Sequence, residues 1–194
     1  MLVLPREYLS SGVPFYRGKE ISLLSNGSGF ESDIYISEER FKELKAKYGV
    51  PKNDDILLTS GGTIGNTYLV EESDKFYFKD GNLSWFNHYK SEIGGKYLKT
   101  WFDSKEAELA IENIKIGSTQ QAITISSINT INMIFSSENV IKNFNIFLED
   151  IFRKVRSNTK QIHSLTKLRE TLDISVRPCQ RFRSNGSTLK DATK

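Results

Sequence analysis

The run with the most chemical promise is Asp54-Asp55-Ile56-Leu57-Leu58-Thr59-Ser60-Gly61-Gly62-Thr63-Ile64-Gly65-Asn66. An apolar stretch leads into two glycines, a threonine and a third glycine, which permits a tight, irregular turn with backbone amides and small hydroxyls lying open. Through Ser60, Gly62, Thr63 and Asn66 such a turn can approach a phosphate or a base edge closely; the same composition also makes a hairpin with a bulge. A second polar run, Lys115-Ile116-Gly117-Ser118-Thr119-Gln120-Gln121, brings a cation, hydroxyls and two amides together at the expected end of a helix. Gln fits an adenine edge and Ser or Thr can donate to phosphate, although loops of this composition are also simply solvated. Arg17, Lys19, Lys79, Asn82 and Ser84 add single groups able to reach a polyanion.

The constellations that mark an enzyme do not assemble. Methyl transfer to a base amino group commonly uses an Asn/Asp-Pro-Pro-aromatic loop, and the prolines here, Pro5, Pro14, Pro51 and Pro178, are never adjacent. The run from Gly61 to Asn66 lacks both the Lys-Ser/Thr of the nucleoside-triphosphate loop and the spacing of the dinucleotide fingerprint. Glu43-Leu44-Lys45 and Asp103-Ser104-Lys105 have a nuclease-like carboxylate-x-Lys spacing, which any solvated charged helix also produces. His88 and His163 are far apart, and neither has neighbours at metal-ligand spacing. The single cysteine, Cys179, excludes an internal disulfide and a cysteine-cluster zinc site. The sequence therefore predicts no catalytic residue, no metal site and no cofactor held by this chain.

Stepping outward from the polar runs, the elements that must carry them follow from pattern. Pro14-Phe15-Tyr16-Arg17, Ile21 and the Ser/Asn/Gly cluster at 25–29 read as short extended pieces and loops. Ser37 can cap a helix with Glu38 and Glu39 in its first turn, with Phe41, Leu44 and Tyr48 on one face and Gly49 as its stop. Strand-like runs at 56–59, 67–70 and 76–78 predict a small sheet. A second helical region covers 96–102 and continues, after a cap at Ser104, to Gly117. Two further β-rich runs, 122–125 and 131–135, close the globule, so the fold class expected is α+β over residues 1–136.

Residues 137–172 carry the clearest periodicity. Ile141, Leu148, Val155 and Ile162 recur every seven residues, and Phe144, Ile151, Asn158, Leu165 and Leu172 form the companion series. A long, coiled-coil-like helix with a seam is predicted, broadened by Phe147, Phe152 and Leu168 and interrupted by the amide of Asn158, which either fixes register or is incidental. The seam is longer than one small globule can cover, so a dimer, or pairing with a second half, is expected. Residues 173–194 lose the periodicity and are expected to be irregular or disordered.

At 194 residues the chain suits one compact domain plus an appendage. No apolar run reaches membrane-spanning length and no signal peptide is visible, so a cytoplasmic location is expected. The net charge of +3 conceals an asymmetry: from Arg153 onward eleven Lys/Arg face three Asp/Glu, and the part before it is acidic overall. A globule of that sign must grip a polyanion through a local patch rather than a general field.

In their order, Pro14-Phe15-Tyr16-Arg17, Asp54-Asp55-Ile56-Leu57-Leu58-Thr59 into Gly62-Thr63-Ile64-Gly65-Asn66, Gly117-Ser118-Thr119-Gln120, and a long helix with Leu165-Thr166-Lys167-Leu168-Arg169 resemble the specificity subunits of type I restriction-modification systems over roughly residues 13–172. The resemblance implies a target-recognition domain that reads half of a bipartite site on double-stranded DNA. It also implies a long helix that acts as spacer and docks methyltransferase subunits. S-adenosylmethionine would be held by that partner methyltransferase, which flips the adenine, and a restriction subunit would complete the assembly. Family members carry two recognition domains and two long helices; here there is one of each and no internal repeat, half a subunit in architecture. Two alternatives from other classes are a protein-interaction module that works through the helix without meeting DNA, and a small nuclease.

Overall fold

The computed structural model describes residues 3–28, 32–78, 81–89 and 93–176. After a single 3-10 turn, Pro5–Glu7, the elements run β1 (Val13–Tyr16), α1 (Gly18–Ser25), β2 (Tyr35–Ile36), α2 (Glu38–Tyr48), β3 (Ile56–Thr59), β4 (Thr67–Leu69), β5 (Tyr77–Phe78), β6 (Leu83–Phe86), α3 (Gly95–Phe102), α4 (Lys105–Ile114), α5 (Ile125–Ile128) and α6 (Glu138–Val176). The architecture is mixed α and β, with two small sheets and a long C-terminal helix. One sheet has the order β2-β1-β5, with β2 antiparallel and β5 parallel to β1; the other is β4-β3-β6, antiparallel throughout.

β3 is the centre of the globule. All four of its residues are buried, because it is paired on both edges and covered on both faces. Ile56 and Leu58 point into a cluster with Leu98 and Phe102 of α3 and Ala107 and Ile111 of α4, while Leu57 points the other way, to Ile21 of α1, Val70 and Phe76. A strand covered on both faces reads as a continuous apolar run instead of an alternating one, which is what Ile56-Leu57-Leu58 shows. The acidic pair before it is structural. Asp54, at φ 74°, caps the first turn of α3 by accepting from the Gly95 N–H at 2.7 Å and the Lys96 N–H at 3.2 Å. Asp55 accepts from the Lys52 N–H at 2.8 Å and the Trp85 indole at 2.9 Å.

α2 begins as its sequence signals: Ser37 accepts from the Arg40 N–H, Phe41 and Leu44 are buried, and Gly49 ends the helix at positive φ. Ser104 likewise caps α4 by accepting from the Ala107 N–H at 3.2 Å. Three expectations are corrected. Residues 18–25, read as extended pieces and loops, form the two-turn helix α1, whose first turn is closed by the Glu20 carboxylate accepting from the Arg17 N–H at 2.9 Å. The run at 122–125 is no strand: Ala122 makes only isolated bridges to Gly61 and Ile116, and Ile125–Ile128 is a helical turn closed by a capping box between Thr124 and Ser127. The run at 131–135 has no regular structure, and Ile134 is 87% exposed, because no neighbouring edge offers its β-branched residues a partner. β6, by contrast, was not anticipated; its four residues are all half-buried and show no alternation.

α6 is the expected long helix, 39 residues or about 58 Å. Its first half docks on α3. Ile141 and Leu148 are buried, Phe144 meets Tyr97 edge-on at 6.0 Å, and Lys96 reaches Glu149 at 3.0 Å. Arg156 pairs with Glu71 at 3.0 Å. Among the described residues no helix is long and apolar enough to cross a membrane. The greater part of the tail expected to be irregular, 177–194, lies outside the described residues, while α6 itself continues through 173–176.

Candidate nucleic-acid interface

The glycine-broken run is the loop of the β3–β4 hairpin, and one buried side chain shapes it. Thr59 is fully buried; its hydroxyl donates to the Thr63 carbonyl and accepts from the Asn66 N–H at 3.0 Å. Its backbone closes the same loop, the N–H donating to the Asn66 carbonyl at 2.9 Å and the carbonyl accepting from the Gly65 N–H at 3.0 Å. The loop can turn this tightly because Gly62 and Gly65 take positive φ, 71° and 97°. Ser60 and Gly61 are buried at its base, and Gly62 and Thr63 are exposed at its tip. The open readings of this sequence, hairpin and exposed polar turn, are thus one object.

The second polar run is brought beside the first. Ile116 and Ala122 exchange backbone hydrogen bonds at 2.9 Å in both directions, Ala122 also bridges to Gly61, and the Ile123 N–H donates to the Ser60 carbonyl at 2.8 Å. Ser118, Thr119, Gln120 and Gln121 are all exposed in the loop so formed. Gly117, at φ 101°, admits the chain reversal; a Cβ there would lie 2.5 Å from the Gln120 carbonyl oxygen. Lys115 is held back from this loop by an ion pair with Glu112.

Beside the hairpin tip lies a cleft of about 530 Å³ between α1 and residues 61–63, lined among others by Arg17, Lys19, Ser22, Gly62, Thr63 and Asn82. Five of the sequence-nominated residues therefore converge on one concavity. Its cations differ in freedom. Lys19 meets Asp33 at 3.2 Å with both side chains largely exposed, a contact of little energetic weight. Arg17 is gripped by Glu20, Nη2 donating to Oε1 at 2.9 Å and Nε to Oε2 at 3.2 Å. Burial by itself raises the Glu20 carboxyl's pKa, but the hydrogen bonds from Arg17 outweigh it and hold the group below its ordinary value; the Arg17 guanidinium is correspondingly raised, chiefly by its hydrogen bond to Glu20.

Other nominated residues fall elsewhere. Ser84 sits opposite Leu58 in the β3–β6 ladder, half-buried. Asn66 contributes mainly its backbone, to the Thr59 network. Lys79 lies outside the described residues. Thr59, Glu20 and the cleft-lining Ser22 and Asn26 are residues of this region that sequence reading did not nominate. Glu20 had a legible signal, an acid three positions after the residue that opens α1.

The helix seam is divided. Ile141 and Leu148 are covered by the globule, while Phe144, Ile151, Val155, Ile162, Leu165 and Leu172 are 36 to 66% exposed and Asn158 is exposed with them. Where α6 leaves α3, Phe147, Ile151, Phe152 and Val155 form one wall of an open groove of about 860 Å³, and residues 24–28 with the β4 end form the other.

No protein-family model matches the chain. In sequence it is similar to a protein described as a type I restriction enzyme specificity subunit of Haemophilus influenzae, 37% identical over 97 residues, which is 50% of this chain and 23% of that relative. In fold it is similar to the crystal structure of a type I restriction-modification system S subunit from M. genitalium, with a TM-score of 0.58 at 17% identity, covering 88% of this chain and 40% of that one. A second solved chain, from a study of complex assembly and conformational transition of the type I restriction-modification system, matches with a TM-score of 0.53 at 16% identity, again over 88% of this chain and 39% of the other. This chain thus spans well under half the length of the proteins it resembles. The relative and both solved chains bear descriptions from the type I restriction systems whose specificity subunits the ordered motifs resemble.

Proposed function

We propose that this chain is a DNA target-recognition module of a type I restriction-modification complex. It reads one half of a bipartite site on double-stranded DNA and directs a partner adenine methyltransferase and restriction subunit to it. It carries no catalytic group, and S-adenosylmethionine belongs to the methyltransferase partner. The observation that carries this reading is the convergence at one end of the β4-β3-β6 sheet of two exposed polar tips, 62–63 and 118–121, with a cleft that holds Arg17 and Lys19. Cations and backbone amides position a duplex by its phosphates, and exposed Gln side chains can read base edges. The exposed half of the α6 seam would pair with the helix of a second copy or of a second half-subunit, two-fold symmetry making the site a bipartite palindrome with a spacer set by helix length.

The test is copurification with an adenine methyltransferase followed by mapping of methylated adenines, which should fall in one recurrent bipartite motif. Ile151→Asp with Leu165→Asp should dissociate the pair, seen by light scattering, and weaken specific DNA binding while leaving the globule folded. The uncovered seam equally favours a protein-interaction module that never meets DNA. That reading is upheld if no salt-dependent affinity for duplex is measurable.

A further inference from the structure

The cleft between α1 and the hairpin tip is lined by two cations and by hydroxyl, amide and glycine residues, and among the described residues no carboxylate lines it. Two acids pair with its cations from outside the lining: Asp33, exposed, with Lys19 at 3.2 Å, and Glu20, with only 2% of its surface exposed, with Arg17. A carboxylate buried to that degree is costly unless charge and hydrogen bonds compensate it. Here the compensation comes from one residue, Arg17, through its backbone N–H at 2.9 Å and through a side chain 36% exposed at the cleft. Glu20 takes Nε–H and one Nη2–H of the guanidinium. Of five N–H donors three remain, on Nη1 and Nη2, on the side turned away from Glu20. A free arginine would lose side-chain freedom on meeting a ligand; one already held on two points has lost most of it.

We infer that Glu20 is a positioning residue that fixes the Arg17 guanidinium at this cleft to take one DNA backbone phosphate, with Lys19 and the Gly62 and Thr63 tip beside it. The inference rests on the DNA-recognition reading and adds to it the class of contact: positional and sequence-independent, in contrast to the base-reading contacts open to the 118–121 loop. Among the described residues no aromatic side chain lines the cleft to stack a base, and its cations and small residues suit a compact anion.

Electrostatics and positioning make opposite predictions for Glu20→Gln. Removing a negative charge close to DNA should by Coulomb's law tighten binding; loosening Arg17 should weaken it, by roughly three- to tenfold. The experiment is a salt titration of the full chain with two fluorescent 30-base-pair duplexes of unrelated sequence, alongside a melting curve for each variant. The expected result is that Glu20→Gln weakens binding to both duplexes alike, that Arg17→Lys weakens it with the salt slope retained, and that Arg17→Ala lowers the slope by about one phosphate contact. Arg17→Lys keeps a cation beside the buried Glu20, so a lysine variant that binds both duplexes as tightly as the parent would overturn the assignment even if Glu20→Gln or Arg17→Ala fails to fold. Glu20→Gln binding as well as or better than the parent, an unchanged slope in Arg17→Ala, or a loss confined to one of the two duplexes would each overturn the assignment while the parent still binds DNA. A parent that binds neither duplex at low salt overturns the DNA-recognition reading itself, and this inference with it.

Discussion

Thr59→Val isolates the device that shapes the hairpin tip. Valine has the shape of threonine without the hydroxyl, so the fully buried site stays filled and only the hydroxyl's interactions disappear, chiefly the donation to the Thr63 carbonyl and the acceptance from the Asn66 N–H, with a longer contact to the Asn66 carbonyl at 3.3 Å. Each buried partner left unsatisfied costs about 1–3 kcal/mol. Asn66 is half-buried, and water can reach the loop side of the pair, so the low end applies and the sum is about 2–4 kcal/mol. For a chain of this size 1 kcal/mol shifts the melting temperature by about 2–4 °C, giving a fall of roughly 4–16 °C. Melting followed by circular dichroism reads the total. Native-state hydrogen exchange localises it, since the Gly65 and Asn66 amides, both bonded to Thr59, should lose protection ahead of the β3 core amides. A variant that melts within about 1 °C of the parent, with Asn66 protection unchanged, would show that the hydroxyl does not organise the loop.

Further expectations concern the frame and the helix. Gly95→Ala would put a Cβ 1.8 Å from the Asp54 carbonyl oxygen and 2.9 Å from a Leu69 methyl, and since the first of these is backbone the α3 cap must break; a loss above about 3 kcal/mol in chemical denaturation is expected. Leu148→Ala, at a position 3% exposed, should cost about 2–5 kcal/mol in the same assay, whereas Ile162→Ala, 56% exposed, should matter only where α6 meets another chain and therefore only at concentrations that support self-association. Glu20 has its folded-state pKa below the ordinary value of 4.5, so its ion pair stabilises above that value and is lost as pH falls through the folded-state value. The parent should lose melting temperature more steeply than Glu20→Gln on acidification below about pH 4.5, and parallel curves would count against the pair as a stabilising one.

What was legible in the sequence was what repeats or punctuates. The seam of α6 recurs every seven residues through the four members of the series from Ile141, and α2 is bracketed by Ser37 and Gly49, so neither needed tertiary knowledge. The short elements were another matter. α1 has two turns and no Ser, Thr, Asp or Asn at its N-cap, the role being taken by Glu20 reaching back. Residues 122–135 carry the isoleucines of a strand, but strand propensity is a statement about a pleated, half-buried surface, and no sheet edge is there to supply one. At the candidate interface single residues were nominated from their chemistry, and five met in the cleft. That Arg17 would share a cleft with Gly62, and that Asp54 and Asp55 would serve the frame through Gly95 and Trp85, depends on pairings thirty to forty-five residues apart that no local pattern encodes.

The reach of α6 has a consequence for how such a chain can be altered. From Arg156, its ion pair with Glu71, to Val176 the helix runs about 30 Å, and Ile162, Leu165, Leu168 and Leu172 along it are exposed. Each residue inserted into that stretch would advance everything beyond it by about 1.5 Å and rotate it by about 100°, turning the seam away from whatever it meets. Seven residues bring the seam back to within about 20° of its starting face, displaced by about 10.5 Å, the length of roughly three base-pair steps. Under the proposed function the arm is a ruler with a phase as well as a length: insertions of about seven or eleven residues reset the distance between half-sites with the seam still within about 20° of its face, while a length well out of phase turns the seam away as it changes the spacing.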